Sequence, residues 1–152
     1  MSTTTLNSPR TTTEYESGRT YQLTAPAHPA TARVAREFVR AVLLGNGHAR
    51  LVDNALVCAS DAVAKTLRHV RGPNLSVEVS TRTDRVNLYV RDGSLTGAPV
   101  PRELRTQDGH DPLLPLVHRL SSTSGITWLW NETHRAITAR VWAELRADAV
   151  IG

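Results

Sequence analysis

The apolar side chains of residues 49–90 change their spacing midway from that of a helix to that of a strand. Between 49 and 70 they fall on one helical stripe, at Leu56, Val63, Leu67 and Val70. Gly72 and Pro73 end that helix. Beyond them the period is two, at Leu75, Val77 and Val79 and, after a polar turn, at Val86, Leu88 and Val90. The chain is therefore expected to place a long helix beside a hairpin with one covered face.

Local signals predict the other elements. In chain order these are a strand at 20–24, a helix from Thr31 as N-cap to the Gly-Asn-Gly at 45–47, a long loop at 95–112, a short helix at 112–120, and a hairpin with strands at 125–130 and 136–145. Alternation in the first strand of this hairpin puts Ile126, Trp128 and Trp130 on one face, which we expect to be the core face.

Length and composition fit one domain. The chain has 152 residues, of which 40% are apolar. We expect the domain at 19–147, between a flexible N-terminal tail at 1–18 and a C-terminal tail at 148–152. The order of elements predicts an α/β (α+β) fold in which a mixed, mostly antiparallel sheet is covered on one face by helices.

Charge and composition limit the classes of partner. The net charge is +4, but the arginines are scattered singly and Lys65 is the only lysine. We therefore expect no nucleic-acid partner and keep a nucleic-acid-binding protein only as a remote alternative. The single cysteine, Cys58, lies among apolar residues, as is typical of a reducing cytoplasm. No stretch approaches the roughly 20 apolar residues of a membrane span, and the N-terminus lacks the apolar core that a signal peptide needs, so we expect no membrane partner and a cytoplasmic location.

One carboxylate falls on the covered side of the first hairpin. Asp92 has the same parity as Val86, Leu88 and Val90 and should face the helices. Asp92 and Gly93 are also a common start of a turn, which is one interpretation. The other is that an inward carboxylate at a strand end accepts a hydrogen bond from an adenine amino group.

Two segments carry a family resemblance: Ala55 to His69 and Val86 to Ser94. Together they resemble the nucleotide site of the small anti-sigma-factor serine kinases, single-domain members of the GHKL, or Bergerat-fold, histidine-kinase-like ATPase superfamily. The resemblance covers residues 20–146. It implies a two-layer sandwich that binds ATP between helices and sheet, under a lid formed by the long loop.

The resemblance also exposes two substitutions in the helix. Where the family has a glutamate base and, four residues later, a magnesium-binding asparagine, this chain has Asp61 and Lys65. Asp61 is one methylene shorter, and an ammonium cannot coordinate a metal. Lys65 could pair with Asp61 or could contact phosphate directly. Binding of magnesium is therefore expected to be weak or absent.

The resemblance implies a nucleotide-binding set that continues beyond the lid. Its members are Lys65, Asp92, Gly93, Gly109, His110 and Leu113. Pro112 removes a backbone donor where the family has glycines that approach phosphate. Asp108, His110 and Asp111 could be read as metal ligands, but a polar loop is the simpler interpretation, and we predict no metal site.

Two functions follow as expectations. The first is a regulatory protein of the anti-sigma type with a degenerate site for ATP or ADP, acting by binding a sigma factor or an anti-anti-sigma antagonist and having no kinase activity. The second is an active Mg-ATP-dependent serine/threonine kinase that phosphorylates such an antagonist with Asp61 as base. A homodimer through the helices or the first strand is expected by the same resemblance.

Overall fold

A computed structural model describes residues 18–70, 72–93, 102–108, 115–132 and 135–147. The described helices are α1 (Thr31–Gly45), α2 (Val52–Leu67) and α3 (Pro115–Leu120), with a 3-10 turn at Ala49–Leu51 before α2. The described strands are β1 (Arg19–Pro26), β2 (Asn74–Thr81), β3 (Arg85–Asp92), β4 (Arg102–Asp108), β5 (Thr123–Asn131) and β6 (Ala136–Arg146).

The described strands form one six-stranded sheet in the order β1-β2-β3-β6-β5-β4. Every neighbouring pair is antiparallel. The expectation of a mixed sheet is therefore wrong for these strands. The reason is that β6 lies between β3 and β5, which run in the same direction, and so separates the strands that could have paired in parallel.

The core lies between the helices and one face of this sheet. Val90 of β3 is opposite Val77 of β2 and Val141 of β6, and all three side chains are buried. Residues of this parity pack with the buried sides of α1 and α2 in a single apolar cluster. Because α1 contacts β1 and β2 while α2 contacts β3 and β6, the helices cover this one face, as the alternation predicts. The molecule is thus an α+β protein with an antiparallel sheet.

The first two helices differ from the sequence prediction at their ends. Thr31 begins α1, but Ala30 is the N-cap and makes no side-chain cap; the Thr31 hydroxyl instead donates to the carbonyl of Pro26 at 2.5 Å. The single helix expected at 49–70 is a 3-10 turn followed by α2, which ends at Leu67. It ends there because the N–H groups of Arg68 and His69 bond to carbonyls three residues back.

The segment 95–112 contains a strand where a loop was predicted. β4 pairs with β5 at the edge of the sheet. Its sequence has only Leu104 as an apolar residue, so it shows no period of two. Charged residues are common on edge strands, whose pairing comes from backbone groups. The helix predicted at 112–120 is seen as α3, and residues 112–114 lie outside the described ones.

The last hairpin confirms the predicted face of β5. Ile126 is fully buried beside Val141, while Trp128 and Trp130 share its side of the strand but are half-buried. Trp130 lies beside the turn of the hairpin, where its Nε1 donates to Glu132 Oε1 at 2.6 Å. Trp128 therefore borders the core. No described helix combines the length and the apolar character needed to cross a bilayer.

The adjacent leucines of α1 provide a test of this packing. Leu43 is 0% exposed and Leu44 is 54% exposed. We expect Leu43→Ala to lower the free energy of unfolding by about 2–5 kcal/mol, because it removes buried methyl groups and leaves a cavity. Leu44→Ala should change it by no more than about 0.5 kcal/mol. Urea denaturation measures both, and equal losses would contradict the described orientation of α1.

Candidate functional site

Asp61 and Lys65 lie one turn apart on α2 but do not pair. Asp61 is half-buried, and Lys65 is 6% exposed. Among the described residues, no carboxylate lies within 4.0 Å of the Lys65 ammonium. Of the two sequence-based alternatives for Lys65, the ion pair with Asp61 is therefore wrong. The Asp61 carboxylate and the Lys65 ammonium therefore do not neutralise each other.

Asp61 opens onto a small, mainly apolar cleft between α1, α2 and α3. The cleft has a volume of about 290 Å³ and is lined, besides Asp61, by Arg36, Leu56, Val57, Ser60 and Leu116. Its polar side is partly satisfied, since Arg36 Nη1 donates to Ser60 Oγ at 3.0 Å. The Asp61 Oδ2 atom is buried and accepts no hydrogen bond. One oxygen of the carboxylate is thus buried without a compensating donor.

Burial changes the acid–base chemistry of two neighbouring groups on α2. Desolvation raises the pKa of the Asp61 carboxyl above its ordinary value, since the ionised form loses hydration that no hydrogen bond replaces. Desolvation, and secondarily the charge of Asp61, raises the pKa of the Cys58 thiol to about 12. Cys58 is therefore a thiol at neutral pH and is unsuited to nucleophilic chemistry.

Asp92 lies where the alternation of β3 predicts. It is 1% exposed, on the helix-facing side of the strand, opposite Leu75 of β2. Gly93 follows it at a close approach between two backbones: a Cβ at this position would lie 2.7 Å from the Leu75 carbonyl carbon and 2.8 Å from its oxygen. Glycine is therefore required here to bring the end of β3 against the start of β2.

The other predicted site residues cannot be placed beside these four. Gly109, His110 and Leu113 lie outside the described residues, as does Pro112. Within the described part of the chain, no group of three or more His, Cys, Asp or Glu side chains is arranged to hold a metal ion. The described candidate residues therefore form two groups, Asp61 and Lys65 on α2 and Asp92 with Gly93 at the end of β3.

Sequence reasoning did not single out Arg36, Ser60 or Leu116 around Asp61. They come from three helices, and no spacing in the sequence relates Arg36 or Leu116 to α2. A further contact joins the C-terminal end of α2 to the sheet, where the ring of His69 meets Trp128 edge-on with centroids 5.7 Å apart. The basic residues at the end of this helix thus include one with a packing role.

Neither the models of known protein families nor the sequences of curated proteins match this chain.

Because the backbones approach closely at Gly93, we predict that adding one methyl group there lowers the stability of the fold substantially. We expect Gly93→Ala to lower the free energy of unfolding by about 1–3 kcal/mol, because its Cβ would meet backbone that cannot move independently of the ladder. Gly45→Ala, at the end of α1 where nothing lies within 4 Å of an added Cβ, is the control and should gain up to about 1 kcal/mol. Thermal unfolding of both variants checks this, and a neutral Gly93→Ala would refute the close approach.

The raised pKa of Asp61 predicts a pH-dependent gain in stability on substitution. A carboxyl whose pKa is raised by folding stabilises the fold below its unfolded-state pKa, and this contribution is lost as the pH rises through the folded-state value. At pH 7 the ionised group is therefore a cost. We expect Asp61→Asn to raise the free energy of unfolding at pH 7, and the gain to shrink as the pH falls towards about 4.

Urea denaturation of both proteins at several pH values measures this gain. Asp53→Asn is the matched control: Asp53 is exposed in the first turn of α2, where a negative charge is favourable. The control should lose a little stability at pH 7. A loss of stability in Asp61→Asn as well would mean that the Asp61 charge is stabilised in the fold.

Proposed function

We propose that this chain is a regulatory domain of the anti-sigma-factor type, with a two-layer Bergerat-type fold and a degenerate nucleotide site, which acts by binding a protein. The antiparallel sheet with helices on one face supports the layered arrangement. Asp61 and Lys65 lie one turn apart on α2, and Asp92 is buried and faces the helices, which supports the proposed degenerate site.

Lys65 is the observation that carries the proposal. The resemblance requires an oxygen ligand for magnesium at this position, and the ammonium supplies only donors. Lys65 is 6% exposed and has no carboxylate neighbour among the described residues. A buried cation in this position repels a divalent metal. Metal-assisted phosphoryl transfer therefore loses its ligand and gains an opposing charge.

Asp92 and Lys65 could still recognise a nucleotide without a metal ion. Asp92 presents a carboxylate acceptor in the interior, which suits the amino group of adenine. The Lys65 ammonium suits a phosphate oxygen. The proposed ligand is therefore ATP or ADP bound without turnover, and the proposed partners are a sigma factor or an anti-anti-sigma antagonist. A homodimer also stays a prediction; β1 forms one edge of the sheet.

Asp61 favours a second candidate, the active serine/threonine kinase. A general base works best when its pKa lies near the operating pH, and desolvation moves the pKa of Asp61 in that direction. Its Oδ2 atom also has no donor to displace before it could accept a substrate proton. This candidate still requires magnesium beside Lys65, so we place it second.

Calorimetry with ATP and ADP, with and without magnesium, tests the proposal. We expect magnesium not to strengthen the affinity for ATP. The double variant Asp61→Glu, Lys65→Asn should gain magnesium dependence, because it supplies the longer base and the amide oxygen. Lys65→Gln is the control, since it removes the charge but places the amide differently.

Magnesium-dependent binding of ATP by the unaltered chain with a Kd below about 100 μM, which corresponds to roughly 5.5 kcal/mol, would contradict the degenerate site. Phosphate transfer from labelled ATP to an anti-anti-sigma protein would then establish the kinase. Failure to retain either a sigma factor or such an antagonist in a pull-down would contradict the proposed mode of action.

A further inference from the structure

A second, polar cleft lies at the opposite end of the sheet from Asp92. Its volume is about 470 Å³, and its lining consists of Gly18, Arg19, Asn46, Gly47, His48, Thr81, Arg82 and Thr83. These residues come from the start of β1, the turn after α1 and the turn between β2 and β3. The volume lies within the range of small-molecule sites, roughly 300–1,000 Å³.

The cleft is positively charged and contains no opposing carboxylate. Arg19 and Arg82 line it, and no Asp or Glu does so among the described residues. Neither guanidinium has a described carboxylate within 4.0 Å. The acidic residue nearest in sequence, Asp84, is directed to Arg85 and Arg146 at 3.8 and 3.7 Å. Among the described residues, no carboxylate therefore neutralises the two cations in the cleft.

His48 adds an imidazole to the wall of the same cleft. The residue is 8% exposed, yet its imidazole forms no hydrogen bond with any other described residue. The ring nitrogens are not shut off from solvent, so they can donate to a ligand in the cleft that accepts hydrogen bonds. The backbone N–H of His48 is already used by the carbonyl of Leu43 at 2.9 Å, which fixes the residue in place.

The cleft is held in shape by contacts that leave its charges available. Arg19 Nη1 donates to Asn46 Oδ1 at 3.3 Å, a neutral acceptor, and Asn46 Nδ2 donates to the Val42 carbonyl at 2.7 Å. Gly18 has a φ of +65°, and a Cβ there would lie 1.8 Å from the Thr81 carbonyl oxygen. Glycine thus lets β1 start directly against the end of β2. The side chains that would contact a ligand are therefore held in place before it binds.

We propose that this cleft binds a small phosphorylated molecule through Arg19, Arg82 and His48. Guanidinium groups match phosphate oxygens in geometry and charge, and the imidazole can add a further donor. The cleft is separate from the proposed nucleotide site, because Thr81 and Leu75 lie at opposite ends of β2, about 20 Å apart at the rise of a strand. The proposal therefore does not depend on the proposed function.

Titration of the full chain with inorganic phosphate and pyrophosphate tests the proposal. In amide correlation spectra we expect saturable shifts at Gly18, Gly47 and Arg82. By calorimetry, Arg19→Gln and Arg82→Gln should each weaken pyrophosphate binding about tenfold, since each loses a charge-assisted contact. Arg33→Gln is the matched control, because Arg33 is exposed on α1 outside the cleft, and it should leave the Kd within about twofold.

Three results would overturn the proposal. One is an equal loss of affinity in Arg33→Gln, which would indicate general attraction to a chain of net charge +4. Another is the absence of saturable shifts at these amides up to about 10 mM phosphate, which is about ten times the concentration that would half-saturate a site with a Kd of 1 mM. The last is tighter binding of a short phosphoserine peptide than of pyrophosphate, which would assign the cleft to a phosphorylated protein.

Discussion

The pairing of β3 between β2 and β6 is the constraint on which the rest of the structure depends. It sets Val90 between Val77 and Val141 and so builds the apolar layer under α2. A shift of one residue in either ladder would turn this layer to the other face. The same register carries Asp92 into the interior. Burial of that carboxylate therefore results from the register that forms the core, and Gly93 allows the strand to end against Leu75.

Two ionisable groups on α2, Asp61 and Lys65, indicate a function beyond packing. Asp61 is desolvated without a donor to its Oδ2 atom, and Lys65 is buried without a described carboxylate. Neither offsets the cost of the other. Apolar residues of similar size would pack at least as well at such positions. Groups of this kind are common where a ligand or a reacting atom supplies the missing interaction, which makes α2 the right element to test first.

The sequence predicted the elements whose side chains alternate between core and solvent. The β2–β3 hairpin and the inward direction of Asp92 follow from spacing, whereas α1 begins one residue earlier than Thr31 as N-cap would give. β4 did not follow from spacing, because an edge strand of charged residues is defined by backbone pairing that leaves no hydrophobic period. The clefts beside Asp61 and His48 were equally hidden, since each joins residues from three segments. Gly109, His110 and Leu113 stay predictions.

The two candidate sites lie at opposite ends of the β2–β3 hairpin, and this affects how ligand binding must be interpreted. His48 precedes the 3-10 turn that leads into α2, and Arg82 lies in the turn that joins β2 to β3. A ligand at that end stabilises the whole fold by mass action, by about 2.7 kcal/mol at a hundred times its Kd, whether or not the ends communicate. A higher unfolding temperature in pyrophosphate therefore reports occupancy alone. Coupling requires that nucleotide and phosphate change each other's affinity by the same factor. Arg82→Gln separates such coupling from competition at Lys65, because it removes the cation of the polar cleft and leaves Lys65 in place.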